Sequence, residues 1–177
     1  MIEYYKDVNS LEAKHKVNKK QQWGPPLEGF YLIDVDGAIP LTKGQSGVGM
    51  LIRDWNRRVI AAVSMPLPRR YFVEETEAIA VEQGLVLAKE LGLEKIIVEG
   101  DSLLTIQAVE TMDVRGLVGH IIQGISFQEA KVKHIDRGNN KIAHELTQHA
   151  KKTREKTVWR NEIPSFLFDL LKLKGSV

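Results

Sequence analysis

Phe30-Tyr-Leu-Ile-Asp-Val-Asp36-Gly-Ala38 is a continuous apolar and β-branched run, broken by one acid and ended by Asp-Gly-Ala. Such a run fits a central strand buried on both faces, because a half-exposed strand would alternate. A glycine-rich connection, Lys43 to Gly49, leads into a second run, Val48-Gly-Met-Leu-Ile-Arg-Asp54. That run ends at Asp54-Trp-Asn-Arg57, where Asn56 suits the left-handed turn position. Arg58 to Met65 gives a third run, and three strands on short connections make an antiparallel meander. Pro66 and Pro68 stop the sheet, since neither can donate to a ladder.

The period then changes. Between Glu74 and Leu91, apolar residues fall at Ala78, Val81, Leu85, Ala88 and Leu91, the 3–4 spacing of a helix with one buried stripe closed by Gly92. Lys95 to Glu99 reads as a fourth strand. Ser102 caps a helix over 103–112, because its hydroxyl accepts amide protons that a first turn leaves orphaned. A helical pattern runs from Leu117 to Ile125, a fifth strand from Phe127 to Ile135, and a last helix from Asn139 to Lys152. The order β-β-β-α-β-α-α-β-α predicts an α/β fold: a mixed sheet covered by helices, built from a meander joined to a strand–helix–strand unit.

Working outward, Trp23-Gly-Pro-Pro26 marks a boundary that no helix crosses. Residues 1–22 are polar, weakly periodic and rich in Lys and Gln, which reads as a linker or N-terminal extension. The domain is expected at 23–153, with a tail at 154–177 packed on it. The 177 residues hold 43% hydrophobic and 27% charged side chains, ordinary globular values. Zero cysteine excludes disulfide scaffolds, thiolate metal sites and cysteine nucleophiles. The longest uncharged stretch, Gly116 to Gln128, is too short and polar to cross a bilayer, so a soluble protein with no membrane partner is expected. An intracellular setting is expected, with nucleus and cytoplasm both open. Net charge is uneven: +2 over 1–22, +4 over 151–177 and −4 between them. An acidic body with basic ends suits a metal-using site flanked by patches that meet phosphate, although solvated lysine arms give the same arithmetic.

Asp36 closes the first strand and Asp101 follows the fourth, which a right-handed crossover sets beside the first. Glu77 lies in the first turns of the crossover helix. Ligand sites in such sheets collect at the carboxyl ends of strands. Taken singly, these acids are a turn residue, a helix N-terminal acid and a cap partner. Taken together they form one cluster. Clustered carboxylates repel, so they need neutralising, and oxygen donors suit Mg²⁺ or Mn²⁺. Two such ions about 3.5–4 Å apart can hold a phosphodiester between them.

The ordered set Trp23-Gly-Pro-Pro-Leu-Glu-Gly29, Ile33-Asp-Val-Asp-Gly-Ala38, Gly47-Val-Gly-Met-Leu-Ile-Arg-Asp54, Thr76-Glu-Ala-Ile-Ala80, Gly84-Leu-Val-Leu-Ala88, Val98-Glu-Gly-Asp-Ser102 and Arg137-Gly-Asn-Asn-Lys-Ile-Ala-His-Glu-Leu146 resembles the type 1 ribonuclease H domains. Val158-Trp-Arg-Asn-Glu-Ile-Pro164 extends the likeness to the plant branch found in non-LTR retrotransposon polyproteins beside reverse transcriptases. The resemblance covers roughly 23–171. It implies a ribonuclease H-like five-stranded mixed sheet of order 3-2-1-4-5, three strands antiparallel and two parallel. It further implies hydrolysis of the RNA strand of RNA–DNA hybrids by two ions, Mg²⁺ or Mn²⁺. Asp36, Glu77 and Asp101 match the family's ligands. No organic cofactor is implied, and the chain is expected to act as a monomer on a hybrid or another nucleic acid. The rival expectation is a module that keeps the fold and binds nucleic acid without cutting it.

Three departures stand out. The fourth family acid lands on His144, whose imidazole tolerates Mg²⁺ poorly and suits Mn²⁺ better. Its roles stay open between second-metal ligand, proton shuttle and rim residue. The histidine-bearing loop before the last helix is reduced to Asp136-Arg-Gly-Asn-Asn140, with His134 falling inside the fifth strand. The asparagine-rich run that touches RNA sugars in many relatives is replaced by Phe72-Val-Glu-Glu-Thr76. Gly37, Ser102, Arg137 and Asn140 are the expected nucleic-acid contacts, with Arg53, Arg69 and Arg70 as further phosphate candidates. Asp34 and Glu99 each precede a site aspartate by two and face the same way, which suits support of the site rather than ligation. His15, His120 and His149 show no metal spacing.

Overall fold

A computed structural model describes residues 24–110 and 127–175. Its elements run β1 (Tyr31–Ala38), β2 (Gly47–Arg53), β3 (Val59–Pro66), α1 (Val73–Glu90), β4 (Lys95–Gly100), α2 (Leu103–Glu110), β5 (Glu129–His134), α3 (Lys141–Thr153), β6 (Thr157–Arg160) and α4 (Phe168–Leu173). The six strands form one sheet in the order β5-β4-β1-β2-β3-β6. β1, β2 and β3 pair antiparallel, while β4 runs parallel to β1 and β5 parallel to β4. The five expected strands are therefore in the expected order. β6 is an addition: Val158 pairs Val63 antiparallel and extends the sheet beyond β3. The helix read over 117–125 and the lead-in 1–22 lie outside the described residues.

Burial follows strand alternation. Ile33, Val35, Met50, Ile52 and Val63 join Ala80, Val81, Leu85 and Ala88 of α1 in one core. The opposite face of β2 and β3, Leu51, Val59 and Ala62, packs with Ile142 and Leu146 of α3 and with Leu167 and Leu171 of the tail. Leu146, Leu167 and Leu171 are fully buried, each contributing about 1.5–3 kcal/mol relative to exposure. His149 fastens the tail further, stacking on Phe166 with ring centres 4.6 Å apart and pairing its Nδ1 with Ser64 Oγ at 2.9 Å. The buried face of α1 differs from the expected stripe: Val81, Leu85 and Ala88 are buried, Ala78 and Leu91 only partly, and Thr76, Glu77, Ala80, Gly84 and Leu87 are buried as well. α1 ends as expected: Leu93 N–H donates to Ala88 O and Gly92 N–H to Lys89 O, both at 3.0 Å, with Gly92 at φ +68°.

Two expectations are corrected. The left-handed residue of the β2–β3 turn is Arg57 (φ 65°), not Asn56. The Asp54 carboxylate accepts the amides of Asn56 (2.9 Å) and Arg58 (2.8 Å), which places Trp55 and Asn56 at the turn centre and the positive φ one residue later. Arg53 is not on the surface for phosphate. It is fully buried, with Nε 3.1 Å from Asp34 Oδ2.

Candidate active site

Asp36, Glu77 and Asp101 each bring a carboxylate oxygen within 4.8 Å of the others, the one such group among the described residues. β1 supplies Asp36 and the turn after β4 supplies Asp101. Glu77 comes from the first turns of α1, and Gly37 sets how near that helix lies. A Cβ there would meet Thr76 C and O at 2.7 Å and Glu77 N at 2.9 Å. Only glycine lets α1 rest on the end of β1. On the other face, a Cβ on Gly49, the β2 partner of Asp36, would run into Ala143 O and Thr147 N of α3. Two glycines thus draw two helices onto one strand end.

Asp36 and Glu77 are buried enough to resist charging. Burial first, then the Asp101 charge, raises Asp36 from 3.8 to about 6, against hydrogen bonding with Thr147 and His144. Glu77 rises from 4.5 to about 8 through burial, then through the charges of Asp36 and Asp101, with the Gly37 amide and Arg137 pulling it down. Such mutual repulsion is what a divalent cation relieves. Three hard oxygen donors fit Mg²⁺ or Mn²⁺.

Around the trio, Gly37, Leu41, Val73, Arg137, His144, Gln148 and Lys151 line an open cavity of about 500 Å³. His144 stands beside the trio rather than within it. Its Nδ1 lies 3.3 Å from Asp36 Oδ2 and its Nε2 lies 3.3 Å from the Gln148 amide nitrogen. Because that amide nitrogen donates, Nε2 is the acceptor and Nδ1 carries the proton toward Asp36. Ser102 caps α2 as expected, accepting from Thr105 N at 3.4 Å and bonding Thr105 Oγ1 at 2.8 Å.

Asn140 differs from its expected role. It is 1% exposed and turned inward, its Nδ2 donating to Val35 O (2.8 Å) and to Asp101 Oδ1 (3.1 Å). Buried this way, it reaches an acid of the trio rather than a duplex. Arg69 lies 4.3 Å over the Tyr71 ring, and Arg70 donates to Thr42 O at 3.1 Å. Asp34 pairs with Arg53, and Glu99 pairs with Lys133 at 2.7 Å, so both acids are spent away from the trio. The sequence reading missed His134, whose Nε2 is 3.3 Å from Asp101 O, and Gln148 behind His144. Gln148 was findable, because it sits one helical turn after His144.

A family described as reverse transcriptase-like matches residues 34–150. No curated protein sequence matches the chain. Among solved structures, an RNase H1 from the halophilic archaeon Halobacterium salinarum superposes with a TM-score of 0.62 at 20% identity, covering 70% of this chain and 98% of its own. The N-terminal RNase H domain of a Mycobacterium tuberculosis protein gives 0.60 at 21% identity, covering 69% and 98%. An RNase H1 solved in complex with an RNA/DNA hybrid gives 0.61 at 20%, covering 70% and 98%. At these identities the structures speak to the fold, while the family match spans most of the chain. The chain belongs to the reverse transcriptase-like family, whose members are ribonuclease H-like.

Proposed function

We propose that this protein hydrolyses the RNA strand of RNA–DNA hybrids, using two divalent cations held by Asp36, Glu77 and Asp101. The observation that carries this is the mutual approach of three carboxylate oxygens within 4.8 Å at the carboxyl edge of β1 and β4. An RNase H1 of the same fold has been solved with an RNA/DNA hybrid, which supports the substrate class. When bound, the cations polarise the scissile phosphate and make water a nucleophile near neutral pH.

The residues of this chain prepare the site. Asp36, Glu77 and Asp101 would hold the cations, Asp36 in the place of the first-strand aspartate that the resemblance makes the shared ligand. Asn140 fixes the Asp101 carboxylate and His134 its backbone. Arg137 and Lys151 line the cavity as cations for substrate phosphates, with Gly37 beside them and Ser102, next to Asp101 in the chain, as a further backbone contact. His144 gives the Asp36 carboxylate a hydrogen-bond partner where a fourth acid would add negative charge. That lowers the total negative charge, while the three oxygen donors fit Mg²⁺ or Mn²⁺. The reaction adds water across the P–O3′ bond, leaving a 5′-phosphate and a 3′-hydroxyl.

One observation favours a second reading, a module that binds without cutting: His144 already occupies Asp36 Oδ2. A substrate panel separates them. Labelled hybrid, double-stranded RNA, single-stranded RNA and duplex DNA are incubated with each cation. Selective cutting of the RNA in the hybrid supports the nuclease. Hybrid binding without any cutting supports the module.

A further inference from the structure

Phe72 occupies the N-cap of α1, a position that favours Ser, Thr, Asp or Asn because a side-chain oxygen there satisfies orphan amides. A phenyl ring supplies none. It is also 77% exposed, so it adds nothing to the core. Its backbone, by contrast, is held on both sides. Phe72 N–H donates to Glu75 Oε2 at 2.9 Å, and Phe72 O accepts from Thr76 N (3.0 Å) and Thr76 Oγ1 (2.8 Å). The ring is an apolar plate standing in water on a fixed base, at the cap of the helix that carries Glu77 five residues later.

It does not stand alone. Val73, 49% exposed, and Leu41, 98% exposed, line the cavity that contains Asp36, Glu77 and Asp101. Arg70 ties the Leu41 turn to this segment through Thr42 O. Cations share this region: exposed Arg69 and Arg70 precede Phe72 in the chain, and Arg137 and Lys151 line the cavity with Val73 and Leu41. An apolar protein surface would not select four cations beside its seat. A strand with phosphates for the cations and flat base faces for the ring would.

We propose that Phe72 is a stacking platform for an unpaired nucleobase, so that the preferred substrate carries single-stranded nucleotides next to the scissile region. The proposal rests on the nuclease reading for its substrate class and adds a specificity residue to it. The fixed backbone lets the ring receive a base at small entropic cost, and a fully paired duplex leaves no base face to offer.

The test is binding under chelator, so that no strand is cut. A hybrid with an unpaired tail carrying 2-aminopurine is compared with the same hybrid blunt-ended. The wild-type protein is expected to bind the tailed hybrid about tenfold more tightly and to quench the 2-aminopurine. Phe72→Trp keeps both effects. Phe72→Asn loses both while its Tm rises by about 2–4 °C, because asparagine caps the helix. Equal binding of tailed and blunt hybrid by wild type, or undiminished quenching by Phe72→Asn, overturns the platform and leaves the nuclease reading standing. Failure of wild type to bind either hybrid overturns the platform, while the nuclease reading is decided separately by cleavage with cations restored.

Discussion

Asn140 Nδ2 lies 3.1 Å from Asp101 Oδ1 and 2.8 Å from Val35 O, so one amide joins the start of α3 to an acid of the trio and to the backbone of β1. The bond is buried and spans three elements, which makes Asn140 a positioning residue for Asp101. Asn140→Ala strands the Val35 carbonyl and should cost about 1–3 kcal/mol in urea denaturation. Loss of the support should also weaken Mg²⁺ or Mn²⁺ binding about 10–100-fold by calorimetry. Unchanged cation affinity in a folded variant would show that Asp101 needs no such support.

The acidic trio makes stability depend on pH in a definite direction. Asp36 and Glu77 have folded values of about 6 and about 8, above their ordinary 3.8 and 4.5. The folded protein therefore holds more protons than the unfolded chain between those limits. Their contribution is full below the unfolded values and is lost as pH rises through about 6 and then about 8. Without cations, Tm should fall across this window. Glu77→Gln should remove the upper part of the fall. Cations compete with protons for the same oxygens, so the Tm gain on adding Mn²⁺ should grow as pH rises. A gain independent of pH would separate the cation from these carboxylates.

Much of this is legible in the sequence. The Phe30–Ala38 run, the meander and the 3–4 spacing after Glu74 are strong patterns, and Asp36, Glu77 and Asp101 follow from where those elements end. β6 was not legible, because Thr157–Arg160 is four residues set among charges and forms only through pairing with β3. Arg53 was misread because arginine at a strand end usually faces water, and nothing local announces that Asp34 lies diagonally across the sheet. The direction of Asn140 is equally tertiary: a polar residue at a helix start suits a cap, a duplex or a buried acid.

The Asp34–Arg53 pair offers its own test. Both side chains are nearly inaccessible, at 2% and 0% exposure. Arg53→Met leaves a buried carboxylate without its cation and should cost about 3–5 kcal/mol by denaturant unfolding. Adding Asp34→Asn should recover much of that loss, because the uncompensated charge is then gone. If the double variant is as unstable as the single one, packing rather than charge sets the cost.

Close approach at Gly49 supplies a fourth prediction. Its missing side chain lets α3 lie on β2, with Leu146 Cβ 2.7 Å from where a Cβ would stand. Gly49→Ala meets backbone atoms of α3 that cannot rotate away, so destabilisation of about 1–3 kcal/mol is expected. Displacing α3 also displaces His144 and Asn140, so cation affinity should fall with stability. A variant with wild-type Tm and wild-type affinity would contradict the packing described.

The most direct test of the central claim is cleavage of an end-labelled RNA–DNA hybrid in Mg²⁺ and, separately, Mn²⁺, beside a matched Asp101→Asn protein of verified fold. The account predicts RNA fragments ending in 3′-hydroxyl in at least one cation, and no fragments from Asp101→Asn. Cleavage that survives Asp101→Asn, or a folded wild-type protein that binds the hybrid and cuts it in neither cation, would contradict it.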